Sequence, residues 1–368
     1  MTWGVMLMPT FRLGCNFDPA LIEGVAGLNA RFSSRPLTEF YGSIRSHAEW
    51  TARPAFRLPD ISELTLRRYV QACRRENIDF NYTLNTVHPG SKRALWAKRK
   101  ELAALVQRLE DFGIRNVTIT HPLVGEIVRE ASRSLDIEIS TIAHVDTVSQ
   151  ILAWKQAVGA TGICGSLSKN RSMLFLSRAA RVCAEHGIRL NLMVNEFCSS
   201  GGMVQGRGFG TNCIYRASCY LCHAEDVTRE DAQLFEKFPM GRCISGRDGT
   251  AAWLKTRFIR PEDIGKYEDI GISHFKITGR TGSTLYLLST ATAYMQGSFG
   301  GNLLELWKPL ETIVGEVQQD TSAGGLRINN RMLDGFIDHW VQNPQHECAN
   351  ELCGDTCSYC DEFASGIS

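Results

Sequence analysis

NVTITHPLVGEIVREASRSLDIEIST, residues 116–141, holds the fold in miniature. Residues 116–120 form a short β-rich run, 123–134 follow with a helical period, and 137–141 return to the strand pattern. Strand, helix and strand in so short a span read as one parallel βαβ unit. Working outward, strand-like runs recur at 3–8, 37–41, 78–84, 162–165, 189–194 and 273–277. Helix-like stretches fall between them at 19–27, 60–76, 94–112, 147–158 and 170–186. Gly113, Gly159 and Gly187 each stand just ahead of the next strand-like run, where helices end. Asp60-Ile-Ser-Glu63 reads as a helix N-terminus with acid in its first turn. Eight such units predict a (β/α)8 barrel, for which about 250 residues is typical. A doubly wound open sheet is the alternative.

The interval between Val194 and Ser273 is long for one βα connection and predicts an inserted segment that builds a site. After Arg280 the pattern turns helical at 285–295, 303–314 and 334–341, with a break at Ala323-Gly-Gly. The expected organisation is therefore a barrel domain over 1–296, with a cysteine-bearing insertion at 195–250. A helical extension with a cysteine-rich tail would cover 297–368.

Composition narrows the class. The 368 residues carry 40 Lys+Arg against 39 Asp+Glu, a formal charge of +1, which removes the highly charged disordered class. It also disfavours a dedicated nucleic-acid binder with a basic face. The N-terminal run has no basic leader, and Pro9 and Arg12 interrupt it, so no secretory signal is expected. No eighteen consecutive apolar residues occur, and no membrane span is expected. Thirteen cysteines in a chain read as cytoplasmic point to metal or redox chemistry.

Those cysteines fall into two constellations. Cys198, Cys213, Cys219, Cys222 and Cys243 lie in the long connection, with Cys219-Tyr-Leu-Cys222 as a CxxC pair. Thiolates so placed suit iron or zinc. Gly201, Gly202, Gly206, Gly208 and Gly210 would let the backbone pass close to a cluster or ligand. Cys348, Cys353, Cys357 and Cys360 form a C-x4-C-x3-C-x2-C tail, a self-sufficient four-ligand set. Spacing does not decide there between an iron–sulfur cluster and tetrahedral zinc, and for both sets a zinc staple without chemistry stands beside the functional reading. Cys73 and Cys183 sit in helical patterns and read as small core residues, whereas Cys15 and Cys164 lie near strand ends.

GISHFKITGR, residues 271–280, is similar to the GI-x-x-(F/L)-KIEGR signature of the collagenase-like peptidase U32 family. FIRPEDI (258–264), IEIST (137–141) with Val158-Gly-Ala160, and YTLN (82–85) resemble further segments of that family. RINNR (327–331) through CSYC (357–360) resembles a cysteine-rich extension of some members. The resemblance implies a barrel with a 4Fe–4S cluster on cysteines after the seventh strand. Four of Cys198, Cys213, Cys219, Cys222 and Cys243 would be its ligands. It further implies oxygen-independent hydroxylation, of a quinone precursor or of RNA bases in better-understood relatives, some of which pair with a second family subunit. Thr278 stands where the family has Glu, and Asn195-Glu-Phe-Cys198 replaces its G-x-L-C.

Several other residues are candidates. Lys276 and Arg280 straddle the end of the eighth run, four positions apart, as a cationic pair for a carboxylate or phosphate; an ion pair with a nearby acid is the competing reading. Asn85 and His121 end the third and fourth runs, and His144 follows the fifth, all at the expected barrel mouth. Glu196 adjoins the first cluster cysteine. No serine-hydrolase elbow, HExxH, P-loop or dinucleotide fingerprint is present, so proteolysis lacks a visible nucleophile–base pair or zinc–water site. The expected activity is iron–sulfur-dependent tailoring, such as hydroxylation, of a small molecule or peptide. A peptidase and a non-catalytic heterodimer partner are the alternatives. Lys92-Arg93, Lys98-Arg99-Lys100, Arg67-Arg68 and Arg74-Arg75 are local basic runs, read as solvated helix faces ahead of an RNA surface.

Overall fold

The computed structural model describes residues 8–53, 55–87, 89–196, 249–307, 327–348 and 355–367, with the backbone of two short strands between them. The barrel strands are β1 (Thr10–Gly14), β2 (Leu37–Gly42), β3 (Asp79–Leu84), β4 (Asn116–Ile119), β5 (Asp136–Ile139), β6 (Gly162–Cys164) and β7 (Arg189–Met193). A small antiparallel pair, β8 (Met203–Val204) and β9 (Arg207–Gly208), precedes the last barrel strand, β10 (His274–Ile277). The eight barrel strands close in the order β1-β10-β7-β6-β5-β4-β3-β2, all neighbours parallel. This is a (β/α)8 barrel, and the open-sheet alternative falls.

The first strand is not where the sequence pattern put it. Met8 is exposed and residues 1–7 lie outside the described residues, while Thr10–Gly14 pairs with both β10 and β2. The apolar run before Pro9 drew the reading toward 3–8. The strand that closes the barrel carries Arg12 at its centre, and Arg12 is 3% exposed.

Between strands run α1 (Pro19–Arg31), α2 (Glu63–Arg75), α3 (Lys92–Asp111), α4 (Pro122–Ala131), α5 (Val148–Val158) and α6 (Met173–Glu185). Five of the six starts, all but that of α6, have a side-chain cap. Asp18, Ser62 and Ser91 accept backbone N–H groups at the first three N-caps. Thr147 and Gln150 form a reciprocal capping box on α5, and Gly159 ends that helix in the left-handed conformation at φ +64°. Leu66, Val70 and Cys73 on α2, and Leu102, Leu105, Val106 and Leu109 on α3, are buried between helices and barrel.

Strand residues split by alternation. Phe11, Leu13, Phe80, Tyr82, Val117, Ile119, Ile137, Ile139, Phe275 and Ile277 belong to the hydrophobic core. The intervening Arg12, Glu39, Asn81, Thr118, Glu138, Asn191 and Lys276 are equally buried but polar. A barrel interior is normally filled with branched apolar side chains. Here it is filled with charges and amides.

Past β10, the helix Thr284–Gln296 packs against α1 and β1. The extension beyond it shares the barrel's own core. Trp307 stacks on Trp253 at 5.9 Å, and Phe336 stacks on Phe258 at 6.0 Å and on Tyr359 at 5.5 Å. Among the described residues no helix is long and apolar enough to cross a membrane.

Candidate site at the barrel mouth

Glu138 on β5 is the hub of the interior. Its Oε1 lies 3.0 Å from Lys276 Nζ, and its Oε2 accepts from Arg12 Nη1 and, at 3.1 Å, from Asn191 Nδ2. Arg12 Nε also lies 3.2 Å from Glu39, whose other oxygen accepts from Asn116 Nδ2 at 2.7 Å. Two cations thus face two carboxylates, all four nearly dry. Burial is the main force holding the Lys276 ammonium below the usual lysine range. The ion-pair reading of Lys276 is therefore the one observed, and Lys276 is not half of an open cationic pair.

Arg280 is different. Gly279, at φ +129°, turns the chain after β10 in a conformation that side chains rarely adopt. Arg280 then lies across Gly14, where an added Cβ would come within 2.5 Å of its Cγ. Its Nη1 donates to Thr83 Oγ1 at 3.2 Å, and its guanidinium carbon sits 5.4 Å from the Tyr41 ring centroid. Lys276 Nζ approaches the same ring at 4.2 Å, so the two cations do share one side as alternation required. Tyr41 is fixed by donating its hydroxyl to Ile277 O at 3.0 Å.

A second guanidinium, Arg53, was not anticipated. The charge of Arg280, and then burial, push Arg53 down to about 9, with Tyr41 and Glu196 acting the other way. Glu196 is a carboxylate that attracts Arg53, whereas the groups around Arg280 are the neutral Thr83 and Tyr41. Asn85 explains why Arg53 is there. Its Oδ1 accepts the Ala52 N–H at 3.2 Å, and the next residue's N–H reaches Trp50 O at 3.1 Å. The loop carrying Arg53 is tied down to the end of β3. Asn85 is a positioning residue for that loop.

The remaining candidates follow the C-terminal strand ends, as expected, but are spread around the rim. His121 caps α4, its Nδ1 accepting Leu123 N–H at 3.2 Å, and burial lowers its pKa. His144 sits in the left-handed region at φ 52°. Glu196 is the last described residue before the insertion. Cys198, Cys213, Cys219, Cys222 and Cys243 lie outside the described residues, as does Cys353 of the tail. Burial pushes Cys15 and Cys183 up to about 12 and raises Cys73 and Cys164, which disfavours the thiolate at these four positions. Among the described residues, no three His, Cys, Asp or Glu side chains already converge to hold a metal. The basic runs are exposed along α2 and α3, with Lys98 paired to Glu49 and Arg99 stacked 4.2 Å over an exposed Trp96.

No family model matches the chain. An uncharacterized protease of Methanocaldococcus jannaschii, MJ1657, is 23% identical over 322 residues, covering 85% of this chain and 84% of the relative. The chain is thus similar over most of its length to a protein named as a protease. A solved U32 peptidase, Mk0906, overlays with a TM-score of 0.46 at 13% identity, across 76% of this chain and 95% of that one. The HpcH/HpaI aldolase of Desulfitobacterium hafniense overlays with a TM-score of 0.33 at 12% identity, across 52% of this chain and 79% of the aldolase. The U32-like block at 271–280 thus ends in Gly279 and Arg280, the turn and the guanidinium of the mouth.

Proposed function

We propose that this chain is an enzyme whose barrel mouth grips an anionic group of a small-molecule or peptide substrate between Arg53 and Arg280. The observation that carries this reading is the Arg280 guanidinium held at the mouth by the neutral Thr83 and Tyr41, with the charge of Arg280 acting on Arg53. Like charges held together at a mouth cost stability, and a bound carboxylate or phosphate would repay that cost through charge-assisted hydrogen bonds. Tyr41 and Thr83 would orient Arg280 toward the ligand. The balanced charges below it would keep the floor of the site rigid.

Four of Cys198, Cys213, Cys219, Cys222 and Cys243, all outside the described residues, would hold a 4Fe–4S cluster, in line with the U32 resemblance. Such a cluster supplies electron transfer or an open iron site for modification without molecular oxygen. A peptide substrate is favoured by one specific finding, the protease name of the archaeal relative. A peptide C-terminus presents the carboxylate that the arginine pair would accept.

The test is binding and metal content measured separately. A panel of phosphate, small dicarboxylates and short peptides should raise the melting temperature of the wild type, while R53M and R280M should lose that response. R53M without ligand should melt no lower than wild type, because a repulsion has been removed. Anaerobic preparation should give about four irons and four sulfides for the internal cluster. Equal anion responses in wild type and both variants would refute the mouth assignment. A preparation without iron would refute the cluster.

A further inference from the structure

The loop that carries Arg53 is held at a second place, apart from Asn85. It leaves β2 through a short helical turn, Arg45–Trp50, in which His47 is buried. His47 Nδ1 lies 2.5 Å from the Tyr82 hydroxyl of β3, and its Nε2 lies 2.9 Å from Glu63 Oε1 at the start of α2. Glu63 also accepts from Arg108 of α3, at 3.2 and 3.3 Å. The Ile44 N–H, just ahead of the turn, donates to the same Tyr82 oxygen at 3.2 Å. Groups from β3, α2 and α3 are thus joined through one imidazole.

The direction of each bond follows from its partners. Burial pushes the Glu63 carboxyl up, but its bonds from His47 and Arg108 outweigh that and leave it below its ordinary value. An ionised carboxylate only accepts, so His47 Nε2 carries the hydrogen toward Glu63. Burial holds His47 below the ordinary histidine value against the pull of Glu63, so at neutral pH its Nδ1 is an acceptor. Tyr82 takes the Ile44 hydrogen on its oxygen and gives its own to His47. No donor in the chain Ile44, Tyr82, His47, Glu63 is left over. From there the turn leads directly to Arg53: Thr51 N donates to Ala48 O at 3.0 Å, and Thr51 Oγ1 accepts the Arg53 N–H at 3.3 Å.

We propose that His47, with its ring neutral, is a positioning residue for Arg53, clamping the loop so that this guanidinium is presented at the mouth. The inference rests on the anion-gripping reading of that mouth. Acid breaks the clamp. A hydrogen on Nδ1 turns it from acceptor to donor, and the Tyr82 hydroxyl, 0% exposed, then has no water to take its own hydrogen. The charged groups around the ring are Glu63 on α2, Arg108 on α3 and Glu49 on its own turn, with Glu49 engaged by Lys98. The clamp is complete above the ordinary value of 6.5 and is lost as pH falls through the lowered one.

Inorganic sulfate is the probe, since it stays a dianion across the histidine range. Full-length wild type, R53M, H47L, H47Q and H47L/R53M are titrated with it, and amide hydrogen exchange is followed over residues 44–53. H47L should bind sulfate about tenfold more weakly than wild type, the equivalent of one lost hydrogen bond. H47Q offers an oxygen to Tyr82 and an N–H to Glu63 without titrating, and should restore most of the affinity. In the R53M background H47L should add nothing, because the group it positions is gone. Wild-type affinity should weaken with acid while H47Q stays flat. H47L should also speed exchange over 48–53, and H47Q should not. Should H47L fail to fold, Y82F, which removes the donor to Nδ1, takes its place. Sulfate binding by H47L equal to wild type, or an equal loss with and without Arg53, overturns the inference, and parallel pH curves for wild type and H47Q overturn the role of the neutral ring. Equal binding by wild type and R53M refutes the mouth reading instead. Exchange then still decides whether His47 holds the loop, and unchanged exchange in H47L overturns that as well.

Discussion

At the scale of single residues, Glu138 decides how the barrel interior survives. Its side chain faces Lys276 and Arg12 together, and neither cation has water to fall back on. Removing one partner of a buried ion pair costs about 3–5 kcal/mol, whereas replacing a whole pair by apolar groups is often neutral. E138Q should therefore lower unfolding stability by about that amount, and K276M in the same background should recover much of it. Urea unfolding of the two singles and the double checks this. A double variant that is merely the sum of the singles would disprove the coupling. The alternation that places Glu138 inside is legible in Ile137-Glu138-Ile139, and the same holds for Val117-Thr118-Ile119. The partner of Lys276 is not legible, because 138 positions separate the two residues and only barrel closure brings them together. Arg53 is hidden for a similar reason. Its loop is held by Asn85 from another strand, and nothing in its own neighbourhood in the sequence signals a site.

At the scale of elements, the β1–β10 seam closes the barrel and contains an acid-sensitive group. The sequence pattern located β10 well, since GISHFKI carries apolar residues on both sides of a clear helix end. It misplaced β1, because a charged residue at a strand centre reads as an interruption when no partner strand is in view. His274 sits in this seam, its Nδ1 2.8 Å from Thr10 Oγ1. Burial first, and then the charges of Arg12 and Arg189, push its pKa down to about 4. A depressed histidine contributes stability that is full above the unfolded value of 6.5 and is lost as pH falls toward 4. The loss reaches about 3 kcal/mol at most, from about 1.4 kcal/mol per pKa unit. H274N keeps an acceptor for Thr10 and cannot charge. Its stability should fall less steeply than wild type between pH 6.5 and 4. Parallel curves for the two proteins would rule out His274 as the titrating group.

At the scale of the whole molecule, the question is whether residues beyond 296 form a unit of their own. Sequence pattern alone separates them, since helices and a cysteine-rich tail follow a complete set of eight strands. The packing joins them. Trp307, Phe336 and Trp340 bury against Trp253, Phe258 and Arg171, all from barrel connections, and belong to the same core as the strands. Tyr294 of the last barrel helix donates to Ile259 O, and Arg260 in turn bonds to Asn330 O and Asp334 of the extension. A domain boundary normally falls where few contacts cross. Here the crossing residues include Trp307 and Trp340, among the largest fully buried side chains of the described residues. Barrel and extension should therefore unfold in one calorimetric transition. W340A should lower the stability of the barrel itself by about 3–5 kcal/mol, the cost of an aromatic truncated in a core. Far-ultraviolet circular dichroism, which reports mainly the barrel helices and strands, should shift with it. If W340A melts the extension alone and leaves the main transition in place, the extension is a separate unit, and Arg171 is its anchor rather than part of a shared core.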